Sequence, residues 1–314
     1  MITYSIRRLL AFVPTLFAIS FLVFSLLYFV PGDPAQMILG VDATPDAIAR
    51  LQEDMGLNEP FVPRLVNWYG RALQGDFGRS YYLDRSVVEA IAERVPATLQ
   101  LTAFALVFAI LIGVPTGVLA AVRQNTWIDA LVMAGAMLGL AVPGFLLGLL
   151  MIFFVALPTG WFPTGGHVPF FESPLGNLRS LALPALSLGL AQGALIARMT
   201  RSSMLEVLRL DYVRTARAKG LRERVVVNRH VLANSLIPII TVIGIVAGVL
   251  LGGAIAIETV FTLPGVGRLV ISAVKRRDYP LIQGVTLFIT FSYLMVNLIV
   301  DLLYVVADPK VRYS

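Results

Sequence analysis

The sequence predicts an all-α integral membrane protein with six transmembrane helices, both termini on one side and a polar segment on the other side after the first helix. Three observations carry this. Of 314 residues, 57% are hydrophobic and only 14% charged, where a soluble domain carries about 25% charged residues; the mean hydropathy is +0.81. Six uncharged runs approach the roughly 20 residues that span a bilayer core. Basic residues also collect in the segments that a six-pass layout places on one side.

The first run, 9–30, follows Arg7 and Arg8 and has 22 residues with no Ala-x-Ala behind it. That is longer than a signal-peptide core of about 7–15 residues, so it reads as a retained anchor helix. Residues 31–96 carry ten acidic residues against six arginines. Within them Thr44-Pro45 predicts an N-cap followed by Pro at the first helical position, and Gly56 a stop. A second short helix is expected over 64–73, presenting Leu65, Trp68 and Leu73, and Gly75-Asp76-Phe77-Gly78 reads as a turn.

The second span is expected at 97–122, interrupted at Gly113 and Pro115, and the third at 130–157, bent or broken at Pro143-Gly144. The fourth is expected at 181–197, the fifth at 235–257 and the sixth at 281–300. Between the last two lies an irregular connection, 258–280. Arg7, Arg8, Arg123, the segment 198–234 with nine basic residues and three acids, and Lys310 with Arg312 all fall on one side, which the positive-inside rule makes the cytoplasm. Lys275, Arg276 and Arg277 dissent. Small residues recur every four positions at Gly113 and Gly117, at Gly135 and Gly139, and at Gly244, Gly248 and Gly252. Such faces serve tight packing within the chain or an interface between subunits. The organisation that follows is a first helix with its extracytoplasmic segment (1–96), a membrane domain (97–308) and a short cytoplasmic tail (309–314).

Composition also excludes chemistries. No cysteine is present, so disulfides, thiolate metal sites and cysteine nucleophiles are out. The three lysines, Lys219, Lys275 and Lys310, precede Gly, Arg and Val, so no phosphate-cradling Gly-x-x-x-x-Gly-Lys-[Ser/Thr] loop exists and any ATPase is a different chain. Gly-x-Ser-Gly, Gly-x-Gly-Asp and His-Glu-x-x-His are absent, which removes the familiar intramembrane proteases. Glu258 and Asp301 lie at span ends, where interfacial solvation is expected to accommodate them. Gln100, Gln192, Asn297 and Asp301 are the candidate pathway residues, against the alternative that such groups only join helices. A nucleic-acid role does not suit a basic segment tethered between two spans.

The remaining feature is 211–220, D-Y-V-R-T-A-R-A-K-G. Asp211 is expected to cap a short helix and Gly220 to end it. About two turns cannot stand alone in water, so the helix needs a partner. Ala216 and Ala218 allow close approach, while Arg214 and Arg217 are expected to face carboxylates on that partner. A second helix is expected over 221–234.

Tyr212-Val213-Arg214-Thr215-Ala216-Arg217-Ala218-Lys219-Gly220-Leu221, with Arg229-His230 and Asn234 downstream, resembles the EAA loop (here 201–234) of ABC-importer permeases, closest to the B-subunit type of the dipeptide/oligopeptide/nickel branch. Arg7-Arg8-Leu9, Pro31-Gly32-Asp33-Pro34, Gly75-Asp76-Phe77-Gly78, Leu263-Pro264-Gly265-Val266-Gly267 and Arg277-Asp278-Tyr279-Pro280 are similar to stretches of the same branch. The resemblance implies a type I importer fold in a prokaryotic plasma (inner) membrane. It implies a heterodimer with a second homologous permease, two ATP-binding subunits that use ATP and magnesium, and an extracytoplasmic substrate-binding protein. This chain would bind no cofactor and would not itself be an enzyme. Asp211 to Leu221 would be the ATPase-coupling element, with Arg214, Thr215 and Ala216 at the Glu-Ala-Ala positions, Gly220 as the motif glycine and Ala233 where the general motif has proline. The implied cargo is di- or oligopeptide, with nickel chelate or glutathione as the alternative. An ion-gradient secondary transporter is the competitor from another class.

Overall fold

A computed structural model describes residues 2–40 and 43–307, with side chains described from Leu10 onward except for Asp301 and residues 303–307. Lys310 and Arg312 lie outside the described residues, as does the proposed tail. The elements are α1 (Ile2–Phe29), α2 (Pro34–Leu39), α3 (Pro45–Asp54), α4 (Phe61–Ala72), a two-residue hairpin of β1 (Arg79–Ser80) and β2 (Arg85–Ser86), α5 (Val87–Ala92), α6 (Val95–Val122), α7 (Trp127–Ala141), α8 (Gly144–Met151), a π-turn (Ile152–Ala156) and α9 (Leu157–Thr159). They continue as α10 (Pro174–Leu208), α11 (Asp211–Ala218), α12 (Glu223–Val225), a second π-turn (Val226–Leu232), α13 (Ala233–Val260), α14 (Val266–Lys275) and α15 (Tyr279–Ala307).

Among the described residues, five continuous helical stretches are long and apolar enough to cross a membrane: Leu10–Phe29, Val87–Val122, Pro174–Leu208, Glu223–Val260 and Tyr279–Val300. The expected third span is a bent pair, with Trp127–Ala141 meeting Gly144–Thr159 at 100°, and counting it as one span brings the total to six. The break falls at the expected Pro143-Gly144. There Val142 and Pro143 adopt extended backbone, with ψ of 122° and 136°, as a residue before proline prefers.

Two expectations about the spans need correction. Gly113 and Pro115 do not interrupt α6, which runs unbroken through both. A proline inside a helix removes one backbone hydrogen bond, and neighbouring helices tolerate that loss in a membrane bundle. Gly113 has a packing role instead: a Cβ there would lie 2.6 Å from the Gly193 carbonyl oxygen of α10. The fourth span is also much longer than 181–197. Ser173 accepts from the Gly176 amide at the N-cap, Pro174 takes the first helical position, and α10 runs 35 residues to Leu208. Its buried stripe continues through Thr200, Ser203 and Met204. Packing, rather than hydropathy, therefore sets where the helix stops.

The core is the α6–α10–α13 contact. Leu101, Ala105 and Ala109 of α6 pack with Leu181, Leu188 and Ile196 of α10 and with Val246, Leu250 and Ile257 of α13. The backbones come close because Gly113 and Gly117 on α6 face Gly193 and Ala197, while Gly189 faces the Ala105 carbonyl. Gly139 meets Ala194, and Gly244 and Gly248 meet Val300 and Tyr293 of α15. These small-residue faces therefore serve packing within the chain; Gly135 and Gly252 meet no atom within 4 Å. Asp129 of α7, buried, accepts a two-pronged pair from Arg201 of α10 at 2.6 and 2.7 Å.

The segment after α1 packs beside the bundle. Thr44 caps α3 by accepting from the Ala47 amide, and Gly56 follows with φ of +63°. Trp68 of α4 is buried, but Leu73 is 88% exposed and forms no part of the expected apolar face. The hairpin is tied to the start of α15 by Asp278, whose carboxylate accepts from Ser80 Oγ at 2.6 Å and the Tyr82 amide at 3.1 Å.

Replacing Gly117 by Val places carbon about 2.5 Å from the Ala197 carbonyl oxygen and must part α6 from α10. We predict a loss of roughly 1–3 kcal/mol, read as a lower thermal midpoint in detergent. Gly135→Ala, entering open space, leaves the midpoint unchanged or raises it.

Candidate functional site

α11 is an eight-residue helix on a loop between two spans. Its N-cap is Leu210, in extended backbone, not Asp211, which occupies the first helical position and makes no capping bond. Asp211 still sits in the first turn, where a carboxylate suits the helix dipole. The C-terminal stop is as expected. Gly220 has φ of +77°, its amide donates to the Arg217 carbonyl at 2.9 Å, and the Leu221 amide donates to the Ala216 carbonyl at 3.4 Å. That pair of bonds is the Schellman motif.

The helix has two faces. Val213 and Ala216 are buried and pack with Ala121 of α6, Met204 of α10 and Val226, Val227 and Val231 of the second π-turn. Asp211, Arg214, Thr215 and Ala218 lie on the opposite stripe and are exposed, as are Tyr212, Arg217, Lys219, Gly220 and Leu221. Ala216 is thus buried against the bundle, which corrects the expectation that a partner approaches it closely; Ala218 is exposed. Fully burying Val213 contributes about 1.5–3 kcal/mol. The exposed Arg214–Asp211 pair at 3.4 Å holds the helix far less.

Arg217 does not present a free cation to a partner. Its guanidinium donates to both Glu223 oxygens, at 3.2 and 2.7 Å, bridging the Gly220 turn. The hydrogen bonds it donates to Glu223 hold Arg217 above the ordinary guanidinium pKa, with burial opposing. The expected separate helix over 221–234 is instead α12 and the second π-turn, running without a break into α13. Ala233, lacking proline's restriction, takes helical backbone and starts α13. The π-turn leaves the His230 carbonyl available, and it accepts from Tyr212 Oη at 3.0 Å and Asn234 Nδ2 at 2.6 Å. Tyr212 therefore ties α11 to the base of α13.

Three of the four candidate pathway residues have described side chains. Gln100 Oε1 accepts from Asn177 Nδ2 at 2.8 Å and lies 3.3 Å from His167 Nε2, so it holds the 160–173 loop to the start of α10. Burial lowers the His167 pKa, with Glu172 pulling it the other way. Gln192 is half-buried midway along α10. Asn297 of α15, also half-buried, lies beside Gly248. The side chain of Asp301 lies outside the described residues.

Glu258 corrects the solvation expectation. It is fully buried. Its Oε1 accepts from Thr98 Oγ1 at 2.5 Å and its Oε2 from the Arg268 amide at 3.0 Å, while the Val266 amide donates to Thr98 Oγ1 at 2.9 Å. Glu258 and Thr98 thus satisfy the orphan amides that begin α14, and the carboxylate sits at the positive end of that helix. A Cβ at Gly265 would fall on this carboxylate, which gives the Leu263–Gly267 stretch its glycines. An acid at a span end followed by Pro-Gly-x-Gly was the available signal.

Comparison with known proteins agrees with this architecture. Residues 113–313 match the family described as binding-protein-dependent transport system inner membrane component, and residues 1–102 match its N-terminal region. The chain belongs to this family, as an ABC-importer permease of the dipeptide/oligopeptide group and a multi-pass membrane protein. It is 43% identical to a putative peptide transport system permease protein of Brucella abortus, over 98% of both chains. It is 42% identical to the dipeptide transport system permease protein DppB of Alkalihalophilus pseudofirmus and to the glutathione transport system permease protein GsiC of Escherichia coli K12, over the full length of each. Among solved structures, the MetNI methionine ABC transporter in an inward facing conformation matches with a TM-score of 0.58 at 19% identity, covering 70% of this chain and 96% of that one. That likeness supports the type I importer fold.

Because a Cβ at Gly220 meets nothing within 4 Å, substitution there acts through φ alone. Gly220→Val should cost about 1–2 kcal/mol and Gly220→Asn much less. Hydrogen exchange of the α11 amides reads the difference: faster in the Val variant and close to wild type in the Asn variant.

Proposed function

We propose that this chain is one of two homologous permeases that together enclose a path for di- and oligopeptides across a prokaryotic inner membrane. An extracytoplasmic binding protein delivers the cargo, and two ATP-binding subunits hydrolyse ATP with magnesium. Asp211 to Leu221 couples those subunits to the membrane helices. The observation that carries this is the division of α11 into a buried anchor, Val213 and Ala216, and an exposed outer stripe, Asp211, Arg214, Thr215 and Ala218. A helix of this kind transmits a push only if one face is fixed to what must move and the other is free for the motor. The peptide names of relatives over 40% identical along the whole chain support the cargo class. The glutathione permease keeps a tripeptide-like cargo within the same reading.

In the proposed cycle, ATP closure draws the ATPase grooves together. The grooves carry α11, and the shared apolar cluster carries α6, α10 and the base of α13. Coupling requires that the ATPase contact the two permease states with different free energies. Residues 31–96 and the 258–280 connection would form the outer face that meets the binding protein, with the membrane domain at 97–308.

The chain has no cysteine, so one introduced thiol is unique. A Cys at Ala218 should crosslink to a thiol in the ATPase groove with a yield that changes on ATP binding, while one at buried Ala216 should react at least about tenfold more slowly, in line with local opening. Equal reaction at both sites contradicts the two-faced helix. In vesicles, uptake that survives ATP depletion and collapses with the ion gradient contradicts the ABC cycle.

A further inference from the structure

α4 belongs to the segment outside the first span, yet it lies alongside that span. The apolar stretch of α1 that crosses the membrane is Leu10–Phe29, and its aromatic contacts gauge the depth of α4. Phe61, at the start of α4, sits among Phe21, Phe24, Tyr28 and Phe29, with ring centroids 6.1, 5.7, 5.0 and 6.3 Å away. Trp68 lies 5.9 Å from Phe24. Tyr69 stacks on Phe17 at 5.4 Å, and its Oη lies 2.8 Å from Ser20 Oγ. The contacts descend α1 as α4 advances, so α4 runs back toward the cytoplasm beside the span. At 1.5 Å per residue, Ser20 and Phe17 lie about 14–18 Å below Phe29. One leaflet of a hydrocarbon core about 30 Å thick is about 15 Å, so the Tyr69 ring reaches the foot of the outer leaflet.

At that depth α4 presents three edges. Phe61 and Trp68 face α1. Arg64, Asn67 and Arg71 recur every three or four residues on a second edge, and they line a cavity of about 460 Å³ shared with α3, the hairpin and the first turn of α15. Ionisable groups at membrane depth face protein or a water-filled space, and this edge does so. Val62, Val66 and Leu73 form the third edge, at positions i, i+4 and i+11 of a helical stripe. They are 64%, 62% and 88% exposed. Pro63 and Gly70 flank them and add no polar side chain.

The direction of that third edge identifies what covers it. The cavity edge turns toward Tyr279 and Pro280 of α15, so the apolar edge turns away from α15. On α1, Val23 and Leu27 pack toward the cluster formed with α15, while Phe21, Leu22 and Phe29 are exposed on the other side. The stripe on α4 therefore continues the exposed apolar surface of a membrane span, at the same level.

We propose that α4 is seated in the outer leaflet, with Val62, Val66 and Leu73 against lipid acyl chains and the edge that carries Asn67 toward water. An exposed apolar stripe is a liability on a helix surrounded by water and is the surface that a helix at this depth requires. Only this stripe is assigned to lipid; α3 and the hairpin keep their place on the outer face. The assignment is independent of the cargo and of α11.

The chain has no cysteine, so nitroxides at Val66→Cys, Leu73→Cys and Asn67→Cys each report one position. In the importer reconstituted in liposomes, power saturation reads their collisions with oxygen, which concentrates in hydrocarbon, and with a water-soluble nickel chelate. The oxygen-to-nickel ratio at Val66 and Leu73 should exceed that at Asn67 by at least about tenfold, because hydrocarbon excludes a polar complex. A second readout needs no nitroxide. A water-soluble maleimide should label Asn67→Cys at least about tenfold faster than Leu73→Cys, since the thiolate is the nucleophile and apolar surroundings suppress it. Ratios at Val66 and Leu73 equal to that at Asn67 would place the stripe in water and overturn the proposal. Low collision with both reagents at Val66 and Leu73 would place it against another protein and overturn the proposal equally, as would equal maleimide rates.

Discussion

The contact on which the rest depends is the apolar cluster beneath α11, where Val213 and Ala216 meet Ala121, Met204, Val226, Val227 and Val231. Four separate stretches of chain converge there: the end of α6, the end of α10, α11 itself and the π-turn that opens α13. An eight-residue helix has no stability of its own, so its position is that of the cluster. The exposed ion pairs around it are screened and weak. Burial decides the geometry, and under the proposed coupling a force applied to the outer stripe would reach three spans through close-packed side chains rather than through flexible links.

The membrane helices that meet at this cluster are themselves closely joined. Glycines at 113, 117, 189 and 193 let α6 and α10 approach at backbone distance, the arrangement favoured where lipid gives no hydrophobic drive between helices. Asp129 and Arg201 fasten α7 to α10 through a bidentate bond. At the far end, Glu258 joins α13 to α14 and Asp278 joins the hairpin to α15. Each buried carboxylate is satisfied by specific donors, as burial of a charge demands. The bundle is pinned by polar joints at both ends and by small residues between.

Much of this was legible in the sequence. Six spans, the break at Pro143-Gly144, the Thr44 cap and the Gly220 stop follow from hydropathy and local backbone chemistry, which act within a few residues. What was not legible depends on neighbours distant in sequence. Nothing local says that Ala216 is covered and Ala218 is not, since both are small; the difference is which face α10 and the π-turn occupy. Arg217 read as a free cation because Glu223 lies across a turn whose geometry only Gly220 provides. Glu258 read as an interfacial acid because Thr98 is 160 residues away. The contacts of Gln100 were hidden for the same reason, its partners Asn177 and His167 being distant in sequence.

The central claim is that α11 and the cytoplasmic ends of the spans move as one body. Spin labels at Arg198→Cys and Ala218→Cys, both exposed positions in a chain without native thiols, measure this directly by pulsed dipolar distances within the assembled importer. On trapping with ATP, the account predicts that this intrachain distance holds to within about 2 Å, well under one helical turn, while the distance from Ala218→Cys to the equivalent label on the opposing permease shortens. A change of a full turn, about 5 Å, in the Arg198–Ala218 distance would show α11 swinging independently of α10 and contradict the account.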